Sequence, residues 1–420
     1  MKKLMLAIFV CNTLLFISCN KDISTAELTF VKATAIYGDL SDQRQTPLKG
    51  ELQDLVDPGK IYVSQDLLLI GEEGRGIHMY DNTDPENPTP LSFIEIPENK
   101  EFYVNGNTIY AESLYDMLKI DITDRKNPNL EKRIENAFAT PSLNDKGEAI
   151  IGFEFQEVTE ELTEDSDFWQ LAFNQQTVYL DYKNRIIPSS AVPSSFAGSS
   201  GSSIGTVNRI ALKDDYVYVI SSEFMSVFKD GQGFELVSTQ QVGWQMETIY
   251  PQDDALFVGT RNSMQIFDIT NPEQPIDIGW FSHATACDPV LPVGDIAYVT
   301  LRTGDEAECP GDENALVVVN TSNLNSPFQV QSINMVSPFG MTLIGNNLFV
   351  GEGENGLKIF DATDRSNLVE IKYDTSVKAY DIIAHPFKSN LILIASPNGF
   401  GQYEVDNTND NLSLLSWISH

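Results

Sequence analysis

The chain has 420 residues, of which 42% are hydrophobic and 10% aromatic, far too rich in core-forming side chains for a disordered protein. Acidic residues outnumber basic ones by 60 to 27, a formal charge of −33. Phosphate backbones and anionic head groups repel such a chain, so nucleic acid is not an expected partner.

At the N-terminus, Lys2 and Lys3 precede an apolar run over 4–17, too short to span a bilayer and flanked like a signal peptide. The run ends in Phe16-Ile17-Ser18-Cys19, which resembles the lipobox of bacterial lipoproteins. Residues 1–18 are therefore expected to be a lipoprotein signal, with Cys19 lipidated and 19–27 a tether; the alternative is an ordinary secretory signal with Cys19 incidental. Acyl chains contribute about 0.8 kcal/mol per buried CH₂, enough to hold a folded domain on a membrane. That places the protein in a bacterial cell envelope, on the outer membrane, with periplasmic and surface sides equally open. Cys11 leaves with the signal, and Cys287 and Cys309 remain, read as one disulfide in an oxidising compartment. Closing a loop of about 22 residues, it contributes about 3 kcal/mol on chain-entropy grounds. A metal pair with His283 is the weaker reading, because strand residues four apart do not meet a common ion from one face.

Residues 28–37 read as a strand, and an irregular stretch follows to Gly59. From there a unit recurs seven times. Its first apolar strand is Leu67-Leu68-Leu69-Ile70-Gly71 and returns near Ile109, Val217, Leu256, Ala297, Phe349 and Ile392. A second strand ends near Asp81, Asp121, Lys229, Asp268, Asn320, Asp361 and Asp406. The units fall at about 60–97, 98–138, 204–243, 244–284, 285–336, 337–377 and 378–419. A strand-only period of roughly 40–45 residues is that of propeller blades. The second strand is apolar on both faces, with Ile77 and Met79 on one and Tyr80 on the other, so each unit must be covered on both sides. Lys119 and Glu404 break that pattern in the second and seventh units. The predicted fold is all-β: a seven-bladed propeller of four-stranded antiparallel blades over 28–420, with six or eight blades as alternatives.

Asp-Thr-Asp/Asn-Pro turns such as Asp81-Asn82-Thr83-Asp84-Pro85 close the second strands, where Asp side chains bond backbone N–H groups two residues on. Calcium is the sharper reading of these carboxylates, but each turn offers only two of them. Insertions at about 139–203 and 303–314 interrupt the period; 150–157 and 177–182 read as strands that extend the blade-two edge or make a further sheet. The phrases Gly74-Arg75-Gly76-Ile77-His78-Met79-Tyr80-Asp81 and Gly356-Leu357-Lys358-Ile359-Phe360-Asp361 resemble the LVIVD repeat, and the chain resembles LVIVD repeat-containing lipoproteins of the Bacteroidetes type. That resemblance implies a propeller on a lipid anchor and supplies no catalytic residues.

No chemistry-bearing motif stands out. Gly351-x-Gly353-x-x-Gly356 matches a dinucleotide fingerprint in letters only, since a strand and not a helix follows. None of His78, His283, His385 and His420 has zinc spacing; neither a metal nor a cofactor is expected. In a propeller, interblade connections share one face with the loops between the two middle strands. Arg75, Trp244, Arg261, His283, Asp288 and Arg302 fall there and form the candidate binding face, the arginines as clamps for a carboxylate or phosphate or as neutralisers of Glu72, Glu73 and Asp305. The expected role is a monomeric, non-catalytic binding module for a protein, glycan or anionic small molecule. The competing roles are a hydrolase or lyase acting in the central channel, and a cofactor-bearing oxidoreductase.

Overall fold

The computed structural model describes residues 27–45, 48–64, 66–161, 178–180, 186–188, 207–221, 223–231, 233–243, 246–260, 262–283, 289–303, 313–406 and 410–420. Seven small antiparallel sheets stand in a ring, a seven-bladed β-propeller. The blades span 58–95, 102–134, 207–241, 246–282, 290–334, 341–374 and 381–419, each a continuous stretch of chain. Within a blade the four strands follow one another outward, and the first strands of neighbouring blades meet around the central channel. Blade one adds a two-residue fifth strand, Lys49–Gly50, on its outer edge.

Two-faced apolar strands account for the ring. Seven hydrophobic clusters occupy the seven seams between blades. In blade four, Met264 and Ile266 pack toward blade five while Phe267 packs toward blade three. The seam from blade seven to blade one joins Leu393 and Phe400 to Leu68 and Ile70. Each fully buried side chain of this size contributes about 1.5–3 kcal/mol.

A second device ties the seams together. Every outermost strand carries one extra residue opposite its neighbour, a bulge that increases twist. Beside that bulge one position reaches the Asp turn of the next blade. Ser92 Oγ donates to the Arg125 carbonyl at 2.7 Å, Ser238 Oγ to the Glu273 carbonyl at 2.7 Å, and Gln331 Nε2 to the Leu368 carbonyl at 2.9 Å. In blade four the residue is Gly279, where a Cβ would lie 2.1 Å from the Leu324 carbonyl oxygen. Ring closure uses the same position, with Ser416 Oγ donating to the Pro85 carbonyl at 2.6 Å. Next to it, Gln402 and Asn82 exchange buried amide hydrogen bonds of 2.7 and 2.9 Å. Among the described residues no blade mixes strands from the two ends of the chain, so this amide pair and its seam close the ring.

The register resolves the irregular blades. Leu391 pairs with Glu404, as Leu67 pairs with Asp81, so Glu404 and not Asp406 holds the turn-side position in blade seven. The apparent break there comes from a strand two residues longer, and Gln402 takes the central place. Lys119 is a true exception, and it forms ion pairs with Asp230 at 2.8 Å and Glu131 at 3.2 Å.

Residues 27–38 pair with 149–161, and with the short strands Val178–Leu180 and Ile186–Pro188 they make a separate four-stranded sheet. The first insertion therefore leaves the edge of blade two unextended and the blade count at seven. Leu114, Tyr115, Ala149 and Ile150 join this sheet to blade two. A helix, Leu40–Arg44, then brings Arg44 onto the buried carboxylate of Asp116 at 2.8 and 2.7 Å, where Arg133 adds a third bond at 3.0 Å.

Candidate functional site at the channel mouth

The turn face of the ring is chemically self-contained. Asp81, Asp121, Asp268 and Asp361 each accept the N–H two residues on, at 3.0, 2.8, 2.7 and 2.8 Å, and Asn320 does the same at 3.1 Å. Hydrogen bonds from the Thr83, Thr123, Thr270 and Thr363 side chains, and then those N–H groups, hold the four carboxyls below the ordinary range. Among the described residues no group of three His, Cys, Asp or Glu side chains is placed to hold a metal ion.

On the opposite face, middle-strand loops lie against interblade connections: the Gly74 N–H reaches the Asn99 carbonyl at 2.8 Å, and the Gly353 N–H the Ala379 carbonyl at 2.8 Å. Buried glutamates fasten the two together. Glu72 accepts from the Val56 and Asp57 N–H groups at 3.1 and 2.8 Å, Glu112 from Lys100 and Glu101 at 3.1 and 3.2 Å, and Glu352 from Val336 and Ser337 at 3.0 and 2.6 Å. All three stand five residues before the third strand's first core residue (Ile77, Met117, Leu357). Glu72 also meets the buried His78 at 3.1 Å, and burial holds that imidazole below its usual value despite the carboxylate.

The predicted face residues have separate surroundings. Arg75 bonds Gln53 and lies 3.8 Å from Glu72, the neutralising arrangement. Arg302 stacks 4.2 Å over the Phe339 ring, which packs 4.7 Å from Tyr380. The Tyr380 hydroxyl donates to Glu354 at 3.2 Å, and Glu354 pairs with Lys378. His283 is half-buried, its N–H on the Asn262 carbonyl at 3.1 Å and its ring 6.3 Å from Phe281. Trp244, Arg261, Asp288, Cys19, Cys287 and Cys309 lie outside the described residues. Gly351 to Gly356 forms a hairpin loop into the strand Leu357–Asp361, so no helix stands there to cradle a phosphate.

The innermost strands hold a cluster that the middle-strand pattern does not show. They are Pro58–Ser64, Phe102–Asn105, Val207–Lys213, Met246–Gln252, Val290–Val293, Met341–Ile344 and Asp381–Ala384. Pairing with the second strands brings Lys60, Glu101, Arg209, Thr248, Pro289, Gly340 and Asp381 to one level at the loop-side mouth. Two residues deeper the level reads Tyr62, Tyr103, Ala211, Tyr250, Leu291, Thr342 and Ile383. The channel wall thus carries charge on blades one to three over tyrosines on blades one, two and four, and uncharged side chains at both levels on blades five and six.

Glu101 is the centre of the charged side. Its side chain is 3% exposed, and one oxygen, Oε1, receives both Lys60 Nζ at 3.1 Å and Arg209 Nη1 at 3.3 Å. Its other oxygen, Oε2, is buried and takes no hydrogen bond from the described residues. Lys60 and Arg209 are 30% and 46% exposed, so both cations open onto the mouth. Below them Tyr62 and Tyr103 meet edge-on at 5.4 Å. Burial, then Tyr103, raises the phenols of Tyr62 and Tyr250. Tyr250 nonetheless keeps 42% of its surface, as a side chain lining a channel does. Counting back from each first hairpin would have aligned these positions in the sequence.

Residues 340–375, blade six, match the LVIVD repeat. None of the curated proteins matches the chain. Solved structures share the fold at low identity. A protein from Lactobacillus plantarum is 12% identical with a TM-score of 0.56, covering 85% of this chain and 96% of its own. A protein of unknown function from Desulfotomaculum acetoxidans is 10% identical with a TM-score of 0.54, covering 84% and 95%. A protein from Bacteroides uniformis carrying a provisional 6-phosphogluconolactonase assignment is 14% identical with a TM-score of 0.53, covering 83% and 95%. At such identities the likeness is one of fold, and this chain is a seven-bladed propeller containing an LVIVD repeat.

Proposed function

We propose that this chain is a monomeric binding module of the bacterial cell envelope, an LVIVD-repeat lipoprotein anchored through Cys19, that holds a ligand at the channel mouth without transforming it. The observation that carries this reading is Glu101. Its oxygen Oε2 is buried without a donor among the described residues, and leaving such a group unpaired costs about 1–3 kcal/mol. Two partly open cations stand beside it on neighbouring innermost strands, over aromatic rings, which is the composition of a recognition site. Disulfide pairing of Cys287 with Cys309 belongs to the same extracytoplasmic reading.

The test is a thermal-shift screen of small anions and sugars on wild type and on Arg209→Ala. Ligands that raise Tm only in wild type support the reading; hits that stabilise both equally, or no hits, contradict it. Changing Cys19 to Ala moves the chain from the membrane to the soluble fraction if the anchor is as proposed. A second reading, a channel hydrolase, is favoured by the fold shared with the Bacteroides uniformis protein. The binding reading predicts 6-phosphogluconolactone hydrolysis at the uncatalysed rate.

A further inference from the structure

From the mouth residues we infer the ligand class: a sugar acid, held by its carboxylate and one face of its ring, as in a terminal uronate. This rests on the binding reading above and narrows it.

Charge comes first. Lys60 and Arg209 supply two positive charges and Glu101 one negative, so the triad carries one net positive charge. Asp381 stands at the same level but turns to the other side: its Oδ1 is 2.0 Å from where a Cβ on Gly340 of blade six would sit. Only a glycine admits that carboxylate. Two cations that already share one carboxylate suit a second, singly charged anion such as another carboxylate. Lys60 is ion-paired with Glu101 and partly exposed, so its ammonium group can also meet a ligand oxygen beside the Arg209 fork.

Hydrogen-bond direction comes second. Glu101 Oε2 needs a donor, which a bare carboxylate lacks and a ring hydroxyl near it, such as the 4-hydroxyl of a uronate, supplies. Ring shape comes third. Tyr62, Tyr103 and Tyr250 line the level below, with the small Ala211 between the last two. Phenol rings offer a flat face for the C–H side of a pyranose and hydroxyls for its rim. A carboxylate, a neighbouring hydroxyl and a ring face together define a sugar acid.

The experiment is calorimetric titration of the full chain with D-galacturonate and D-glucuronate, against D-galactose and D-glucose 6-phosphate. A uronate is expected to bind at least tenfold more tightly than either control. Arg209→Ala is expected to weaken it tenfold or more, and Tyr103→Ala to weaken it several-fold. Lys229→Ala, paired with Glu273 on the turn face, leaves it unchanged, and an unaltered Tm for Arg209→Ala shows that the fold persists. Equal or tighter binding of the phosphate or the neutral sugar, with Arg209 still required, overturns the sugar-acid assignment and leaves the binding site standing. No binding of any probe, or binding indifferent to both Arg209→Ala and Tyr103→Ala, overturns both.

Discussion

On the turn face, Asp81, Asp121, Asp268, Asn320 and Asp361 occupy one repeat position and do one job, each accepting the same backbone N–H. At the channel mouth, Lys60, Glu101, Arg209, Thr248, Pro289, Gly340 and Asp381 also occupy one position, yet they share no chemistry. Both sets sit on the same scaffold at the same spacing. Where every blade needs the same service from a residue, the repeat keeps it. Where strand pairing alone holds the backbone, the side chain is available for something else, and the charges collect on neighbouring blades. The contrast separates what builds the wheel from what the wheel presents.

Perturbing the scaffold side gives the largest effects. Phe349→Ala empties a fully buried site between blades six and seven and is expected to cost about 3–5 kcal/mol in denaturant titration. Tyr103→Ala, a ring on the channel wall, is expected to cost well under half of that; equal losses would erase the distinction. Gly76→Ala comes next. Its φ is +141° and a Cβ would sit 1.9 Å from the Ile94 carbonyl oxygen, so the outer strand must shift, at about 2 kcal/mol or more. Gly106→Ala, at φ +59° with open space around it, is expected to cost about 1 kcal/mol, and the order of the two midpoints checks the geometry.

Gln402→Ala removes half of the amide pair at ring closure and leaves Asn82 buried without its partner, an expected loss of about 1–3 kcal/mol. Should the ring be closed some other way, the change would be silent. The smallest effect lies in the turns. Asp81, Asp121, Asp268 and Asp361 have carboxyls held low by their hydrogen bonds, so the stability they add is present above about pH 4, the unfolded value, and disappears as pH falls through the folded values. Replacing all four by Asn, the residue blade five already uses at Asn320, gives a slightly less stable protein at pH 7 whose deficit closes on acidification. A deficit that widens below pH 4 would contradict the sign.

Much of this wheel is legible in the chain because its middle strands are apolar on both faces and close on a punctuated turn. Met264 and Phe267 announce two seams within four residues of sequence. The separate sheet is not legible, since residues 27–38 find their partner at 149–161, across two whole blades of intervening chain. Glu404 misleads because hydrophobic spacing carries no record of a strand lengthened by two residues. Nor do the mouth residues declare themselves: innermost strands of four to seven residues are too short for a period, and Lys60, Glu101 and Arg209 meet only when three blades close around one axis. The arginines of the outer loops, Arg75 and Arg302, stand out in sequence because glycines and acids surround them, and both have local partners in the fold.

The most direct test is a crystal structure of the chain soaked with D-galacturonate. Density for the sugar between Lys60 and Arg209, with its ring on the Tyr103 side of the channel, is the predicted result. Sugar seated on the Asp turns or the outer strands, with an unaltered Lys60–Glu101–Arg209 triad, would contradict it.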